Sequence, residues 1–176
     1  NALAVAFSLG GLHGASAKDR ASAMFVVESD GRTASAPIAL SAPLDGPHPG
    51  IETALLVIHG EDGDPTEWIR EFASTAARNG ADEKLFIAAP QFLDETDVDP
   101  DNIDDFLVAR WANDDWADGA TAIRPTHILS YHVAEAVLRR LADARAFPDL
   151  QRVAVVGFPA GGTFVQRLAM ISETAD

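Results

Sequence analysis

Apolar residues come in short blocks along the chain, and their spacing changes from block to block. Ala23-Met-Phe-Val-Val-Glu28 and Ala34-Ser-Ala-Pro-Ile-Ala-Leu40 read as two short strands. Between them, Ser29-Asp30-Gly31-Arg32 supplies the turn chemistry of a hairpin. Pro37 cannot donate to a ladder, so the second run is expected at an edge of the sheet. Leu44 to Gly50 reads as a loop, with two prolines and two glycines. Ala54-Leu-Leu-Val-Ile58 and Leu85-Phe-Ile-Ala-Ala89 are continuous apolar runs, the pattern of parallel strands covered on both faces. Trp68, Ile69, Phe72 and Ala76 share one side of a helix predicted over 65–78. Pro65 fits its first turn, Glu67 its positive end, and Asn79-Gly80 its close. Leu129, Val133, Val137 and Leu141 recur every four residues and predict a helix over about 126–146, ended by Phe147-Pro148. Arg152–Val156 is a last apolar strand, followed by a helix to about Ile171. Strand, helix and strand in succession imply βαβ units and hence a mainly parallel sheet. The fold class is α/β, with two N-terminal strands as an antiparallel start and helices on both faces.

Candidate chemistry gathers where strands end in glycine. His59-Gly60-Glu61 follows one buried strand, and Gly157-Phe158-Pro159-Ala160-Gly161-Gly162 follows another. In a parallel sheet such ends share one edge, where α/β proteins bind ligands, and helix N-termini there can stabilise an oxyanion. A strand, tight turn and helix with glycines at this spacing is the form of the nucleophile elbow G-x-S-x-G, with Pro159 in the serine slot.

With those residues in view, the segment from about Ala54 to Ile171 resembles bacterial and fungal α/β-hydrolases of the esterase-like type. The resemblance rests on His59-Gly60, on Ala89-Pro90-Gln91-Phe92, and on Arg152–Gly162 running into Phe164-Val165-Gln166-Arg167. It implies oxyanion donors at Gly60 or Glu61 and at Ala160. It also implies that Gly157 and Gly161 allow a close strand-to-helix approach, and that His59 orders its loop rather than acting as a base. Two departures cut against activity. Phe158 stands where the family has histidine, and Pro159 replaces the serine, so no acyl-enzyme can form there. Proline is locked near a φ of about −65°, so the turn is expected to relax, with Pro159 as the first residue of a helix. The family's order of Ser, Asp/Glu, His also places an acid and a histidine after the nucleophile. No histidine follows Pro159 here, and the family's later strands are missing. By the same resemblance, 152–156 lacks one neighbour and becomes an exposed edge open to self-association.

Composition narrows the classes further. The 176 residues suffice for one domain with a sizeable core. With 27 acidic against 13 basic side chains, the formal net charge is −14. That balance disfavours nucleic acid and anionic membranes as partners. No cysteine is present, which excludes disulfides, thiolate metal sites and a cysteine nucleophile. No cofactor is indicated: the Walker lysine is absent, and the glycines do not match G-x-G-x-x-G. No metal site is indicated either. His127 and His132 are not at the spacing of a zinc pair. Asp97-x-Asp99-x-Asp101 lacks the glycine and glutamate that would complete a calcium loop, leaving an acid-rich, solvated connection over 94–118. Thr163 and Ser130 each lack an evident histidine and acid, so neither reads as a substitute nucleophile; Ser130 is expected to cap or decorate its helix. Residues 2–12 form an uncharged apolar run before Ala15-Ser16-Ala17 and the charges from Lys18. The run is too short to span a bilayer. It reads as a signal peptide over 1–17, hence an exported protein whose single partial α/β-hydrolase domain covers 18–176; the other reading is an N-terminal strand or helix. Three functional readings follow. They are an inactive or impaired family member, an active carboxylic-ester hydrolase completed by residues outside this chain, and a non-catalytic domain binding an ester-like small molecule.

Overall fold

A computed structural model of the chain describes residues 23–60, 64–97 and 107–172. The signal-peptide segment 1–17, Glu61, Asp99 and Asp101 lie outside these described residues.

Five strands form one mixed sheet: β1 (Ala23–Ser29), β2 (Arg32–Leu40), β3 (Thr53–Ile58), β4 (Leu85–Pro90) and β7 (Arg152–Gly157), in the order β1-β2-β4-β3-β7. β1 and β2 make the expected hairpin, with Asp30 and Gly31 at positive φ in the turn. β2 then runs antiparallel to β4, and β3 is parallel to both β4 and β7. The continuous apolar runs fall at the centre. Every residue of β4 after Leu85 is buried, as are Leu56, Val57 and Ile58 of β3. The described part is therefore α/β, with helices on both faces of the sheet.

Three α-helices cover those faces: α1 (Pro65–Arg78), α2 (Ser130–Leu141) and α3 (Pro159–Ile171). On one face, Trp68, Ile69, Phe72 and Ala73 of α1 pack over Val57, Ile87 and Ala89. On the other, α2 and α3 contribute Val133, Val137, Leu141, Phe164 and Leu168 to a larger core with Leu56, Ile58 and Phe86. α1 begins as its sequence predicts. The Asp64 side chain accepts from the Thr66 and Glu67 N–H groups, Pro65 sits in the first turn, and Gly80 follows at positive φ.

The structure corrects the sequence in four places. Pro37 lies in an interior strand, not an edge, because β2 sits between β1 and β4. The β2–β4 register runs only from Ile38↔Pro90 to Leu40↔Ala88, and Pro37 lies just past its end. Its carbonyl accepts from Gln91 N–H at 2.8 Å. The absent N–H lies on that same side, opposite Gln91, so the ladder closes there with one bond instead of two.

α2 starts at Ser130, four residues after its predicted start at Thr126. Leu129 is extended, and the His132 ring Nδ1 accepts the Leu129 N–H at 3.2 Å, closing the first turn from within the helix. Ser130 is neither a cap nor a surface decoration. It is fully buried, and its hydroxyl donates to the Trp116 carbonyl at 2.7 Å.

The described part of the acid-rich connection is folded rather than solvated. Leu93–Asp94 (β5) and Arg110–Trp111 (β6) pair in parallel, and a short 3-10 turn covers Asp115–Asp118. Trp111 and Trp116 are buried, and Trp111 Nε1 donates to the Ala120 carbonyl. Burying a ring of that size stabilises by about 3 kcal/mol, enough to hold the connection against the core despite its charge. Asp94 takes part in a local turn, accepting from the Thr96 hydroxyl and N–H and from the Asp97 N–H. The Thr96 hydroxyl bond leads the effects that hold its carboxyl below the usual range.

Candidate functional site

The two glycine-bearing turns do come together. β3 and β7 pair in register up to Ile58↔Gly157, so His59-Gly60 and Phe158-Pro159-Ala160 leave adjacent strands at the same end of the sheet. Gly157 and Gly161 have the close-approach role expected of them. A Cβ on Gly157 would meet the backbone of Gly161 and Gly162 closer than 3.0 Å, and one on Gly161 would meet the carbonyls of Ile58 and His59 equally closely. These obstacles are backbone atoms, which cannot step aside as a side chain can. Gly162 differs, because its nearest obstacle is the Gly157 carbonyl at 3.6 Å. Its N–H donates to the Phe158 carbonyl and closes the first helical turn.

The turn itself is relaxed. Phe158 is extended at φ −115° and ψ 157°, and Pro159 is the first residue of α3. Among the described non-glycine residues, positive φ occurs only at Asp30 and Asn113. The elbow therefore holds no backbone strain of the kind a nucleophile turn uses. Proline suits this start, because its missing N–H would have had no partner in the helix. Phe158 turns away from the strand ends and stacks on Trp68 of α1, with centroids 3.6 Å apart and planes within 11°.

His59 is 1% exposed and engaged at both ring nitrogens. Phe92 N–H donates to Nε2 at 2.9 Å, which leaves the proton on Nδ1, 2.6 Å from the Gly60 carbonyl. The imidazole thus ties the β3 turn to the residue after Gln91. A ring whose acceptor nitrogen is occupied by a backbone N–H has no lone pair left to act as a base.

Aromatic side chains fill the space beneath the turns. Phe92 stacks on Trp116 with centroids at 4.8 Å and planes within 2°. Trp116 lies 4.7 Å from the His59 ring, and Phe164 lies 5.3 Å from Phe92 and 4.9 Å from Tyr131. Burial comes first among the influences on Tyr131 and raises its phenol above the ordinary value. Asp118 pairs with Arg167 of α3, and Gly119, at φ +78°, leaves room for the Tyr131 ring, which a Cβ there would strike. Phe92 was picked out in the sequence as part of Ala-Pro-Gln-Phe. Phe164 belongs to the Phe-Val-Gln-Arg run that follows the elbow, whereas no local spacing signals that Trp116 and Tyr131 converge on it.

Of the oxyanion candidates, Gly60 and Ala160 sit at the adjoining turns, and Glu61 lies outside the described residues. Two grooves occur elsewhere. One, of about 510 Å³, runs along α1 and is lined by Glu67, Trp68, Glu71, Phe72 and Thr75. The other, of about 290 Å³, lies at the opposite end of the sheet beside His48, Phe86 and Asp82. Thr163 is exposed on α3, His127 precedes α2, and His132 lies in the first turn of α2, where its ring accepts the Leu129 N–H. Among the described residues, no group of three His, Asp or Glu side chains could hold a metal ion, and no helix is long and apolar enough to cross a membrane.

No protein-family model matches the chain, and no curated protein does. Among solved structures, one match is poly(aspartic acid) hydrolase-1 from Sphingomonas sp. KT-1, at 18% identity and a TM-score of 0.49. The match covers 83% of this chain and 49% of the other, so this chain spans about half the length of that protein.

Proposed function

We propose that the chain is an exported α/β-hydrolase-type domain of esterase-like ancestry that does not carry out serine-type ester hydrolysis at its elbow. The observation that carries this reading is Pro159 as the first residue of α3, preceded by an extended Phe158. The slot offers neither a hydroxyl nor the strained turn that would present one. The hairpin at the start of the sheet, the parallel β4-β3-β7 core and the paired glycine turns support the ancestry. The ring of His59, held between the Gly60 carbonyl and the Phe92 N–H, fits the loop-ordering role that the resemblance gives it and supplies no base to the elbow.

The test is hydrolysis of p-nitrophenyl butyrate together with labelling by a fluorophosphonate directed at activated serines. The chain is expected to give no turnover above the buffer rate and no labelled band. Pro159→Ser is expected to stay unlabelled as well, because the new hydroxyl gains no base from His59. Labelling of the parent chain, or turnover abolished by the phosphonate, overturns the proposal.

A further inference from the structure

Gly46-Pro47-His48-Pro49-Gly50 lies at the end of the sheet away from the two glycine turns. Gly46 and Gly50 sit at φ +82° and +84° with open space around them, which suits them as hinges. Pro47 and Pro49 have no N–H to donate, so few backbone bonds can hold the segment between the hinges. The His48 N–H donates to the Ala146 carbonyl at 2.6 Å, and the Gly50 N–H to Asp149 Oδ2 at 2.8 Å. Every residue from 45 to 50 except His48 is exposed. One side chain therefore anchors the segment. The His48 ring stacks on Phe147 at 4.7 Å and tilts against Phe86 at 5.2 Å, both of them buried. It also walls the groove of about 290 Å³, with Ile51, Ala76, Asp82 and Phe86.

That anchor holds only while the ring is neutral. His48 Nε2 is buried and has no hydrogen-bond partner, so the bond to the Pro43 carbonyl comes from Nδ1, which carries the proton. A second proton would enter at Nε2, where no acceptor waits. It would also add a charge near the Arg140 guanidinium, which bonds the Leu44 carbonyl and Asp143. Burial and then the Arg140 charge lower the His48 pKa from 6.5, against the Pro43 carbonyl. The carboxylates around the ring have other engagements. Asp143 serves Arg140 and the Arg145 N–H, Asp149 the Gly50 N–H, and Glu52 Lys84, while Asp82 lines the groove and Asp45 is exposed. β4 brings Phe86 to the ring and has no charged residue. A released ring takes up its proton more readily than a stacked one. Closure is therefore complete above pH 6.5 and weakens as the pH falls below it toward the lowered value.

We propose that 46–50 is an acid-released strap: protonation of His48 swings it off Phe147 about its two glycine hinges and opens the groove, while the sheet stays folded. The flanking contacts confine the motion. Leu44 is buried before the first hinge, with its carbonyl bonded to Arg140, and the chain enters β3 at Thr53, just past the second.

Amide exchange followed by NMR reads the strap and the sheet separately. Once corrected for the intrinsic rate, protection at the His48 and Gly50 amides should fall about three- to tenfold from about pH 7.5 to about pH 5.5. Protection at Leu56 and Ile87, within the β3 and β4 ladders, should hold. His48→Phe keeps a ring on Phe147 without a titrating group and should abolish the fall. Arg140→Gln removes the neighbouring charge and should shrink it. Circular dichroism shows whether each variant is folded. The proposal is overturned if strap protection is already absent at about pH 7.5, or stays constant while the His48 ring titrates. It is equally overturned if the fall survives His48→Phe, or if Leu56 and Ile87 lose protection in parallel with the strap.

Discussion

The chain passes from strand to helix twice at the same end of its sheet, at Ile58 to Pro65 and at Gly157 to Pro159. Both helices start with proline, and there the likeness ends. At the first crossing, polar groups fix the path: Asp64 caps α1, and His59 bonds Gly60 and Phe92. At the second, α3 has no side-chain cap, and the path is fixed by backbone packed against backbone at Gly157 and Gly161 and by Phe158 stacked on Trp68. Polar groups hold the first turn; glycine and aromatic packing hold the second. The second turn thus has the close packing that its shape needs, while Pro159 offers it neither a hydroxyl nor a strained backbone.

The sharpest test of that contrast is a single methyl group. Gly161→Ala places a Cβ against the carbonyls of Ile58 and His59, where no side chain can yield. The expected loss is at least about 3 kcal/mol of unfolding free energy in urea titrations. Gly162→Ala, one residue on, has room and sits within a helix. It should be neutral or stabilising by up to about 1 kcal/mol, from helix propensity. Equal effects at the two positions would mean that the second turn is not held by backbone packing.

The first turn should break through its polar group instead. Asp64→Ala removes the acceptor for the Thr66 and Glu67 N–H groups and should cost about 1 kcal/mol. Asp64→Asn should recover most of that loss, since it keeps an acceptor oxygen. If Asp64→Ala proved silent, the polar account of the first crossing would fail.

What was legible in the sequence follows from the range of the forces involved. The strands at 54–58, 85–89 and 152–156 and helix α1 are fixed by local periodicity and local caps, so they were readable. The elbow glycines were readable because a backbone contact leaves no room for any other residue. Pro37 misled because a strand's place in the sheet depends on its partners, and only the register with β4 puts it at the closing rung, where its carbonyl alone bonds to Gln91. The connection after Gln91 misled in a similar way. Its charges are local, whereas the burial of Trp111 and Trp116 depends on Phe92, Tyr131 and Phe164, which lie far apart in the chain. His59 was legible as a loop-ordering residue from its resemblance, and its partner, Phe92 N–H, became visible only with the fold.

The smallest expected effect lies away from both turns and serves as their reference. His48 stacks on Phe147 at 4.7 Å, near Arg140, which donates to the Leu44 carbonyl. Burial, and then the Arg140 charge, lower its pKa from the ordinary 6.5. The folded chain therefore takes up a proton less readily than the unfolded chain. This contribution to stability is present above pH 6.5 and is lost as the pH falls below it toward the lowered folded value. Unfolding midpoints should decline over that window. His48→Phe, which keeps a ring on Phe147 without a titrating group, should flatten the decline. The cost of Gly161→Ala should not change over the same window, because a backbone clash carries no proton. If its cost followed the pH, the glycine turn would be coupled to a titrating group, and the division between a polar crossing and a packed one would have to be redrawn.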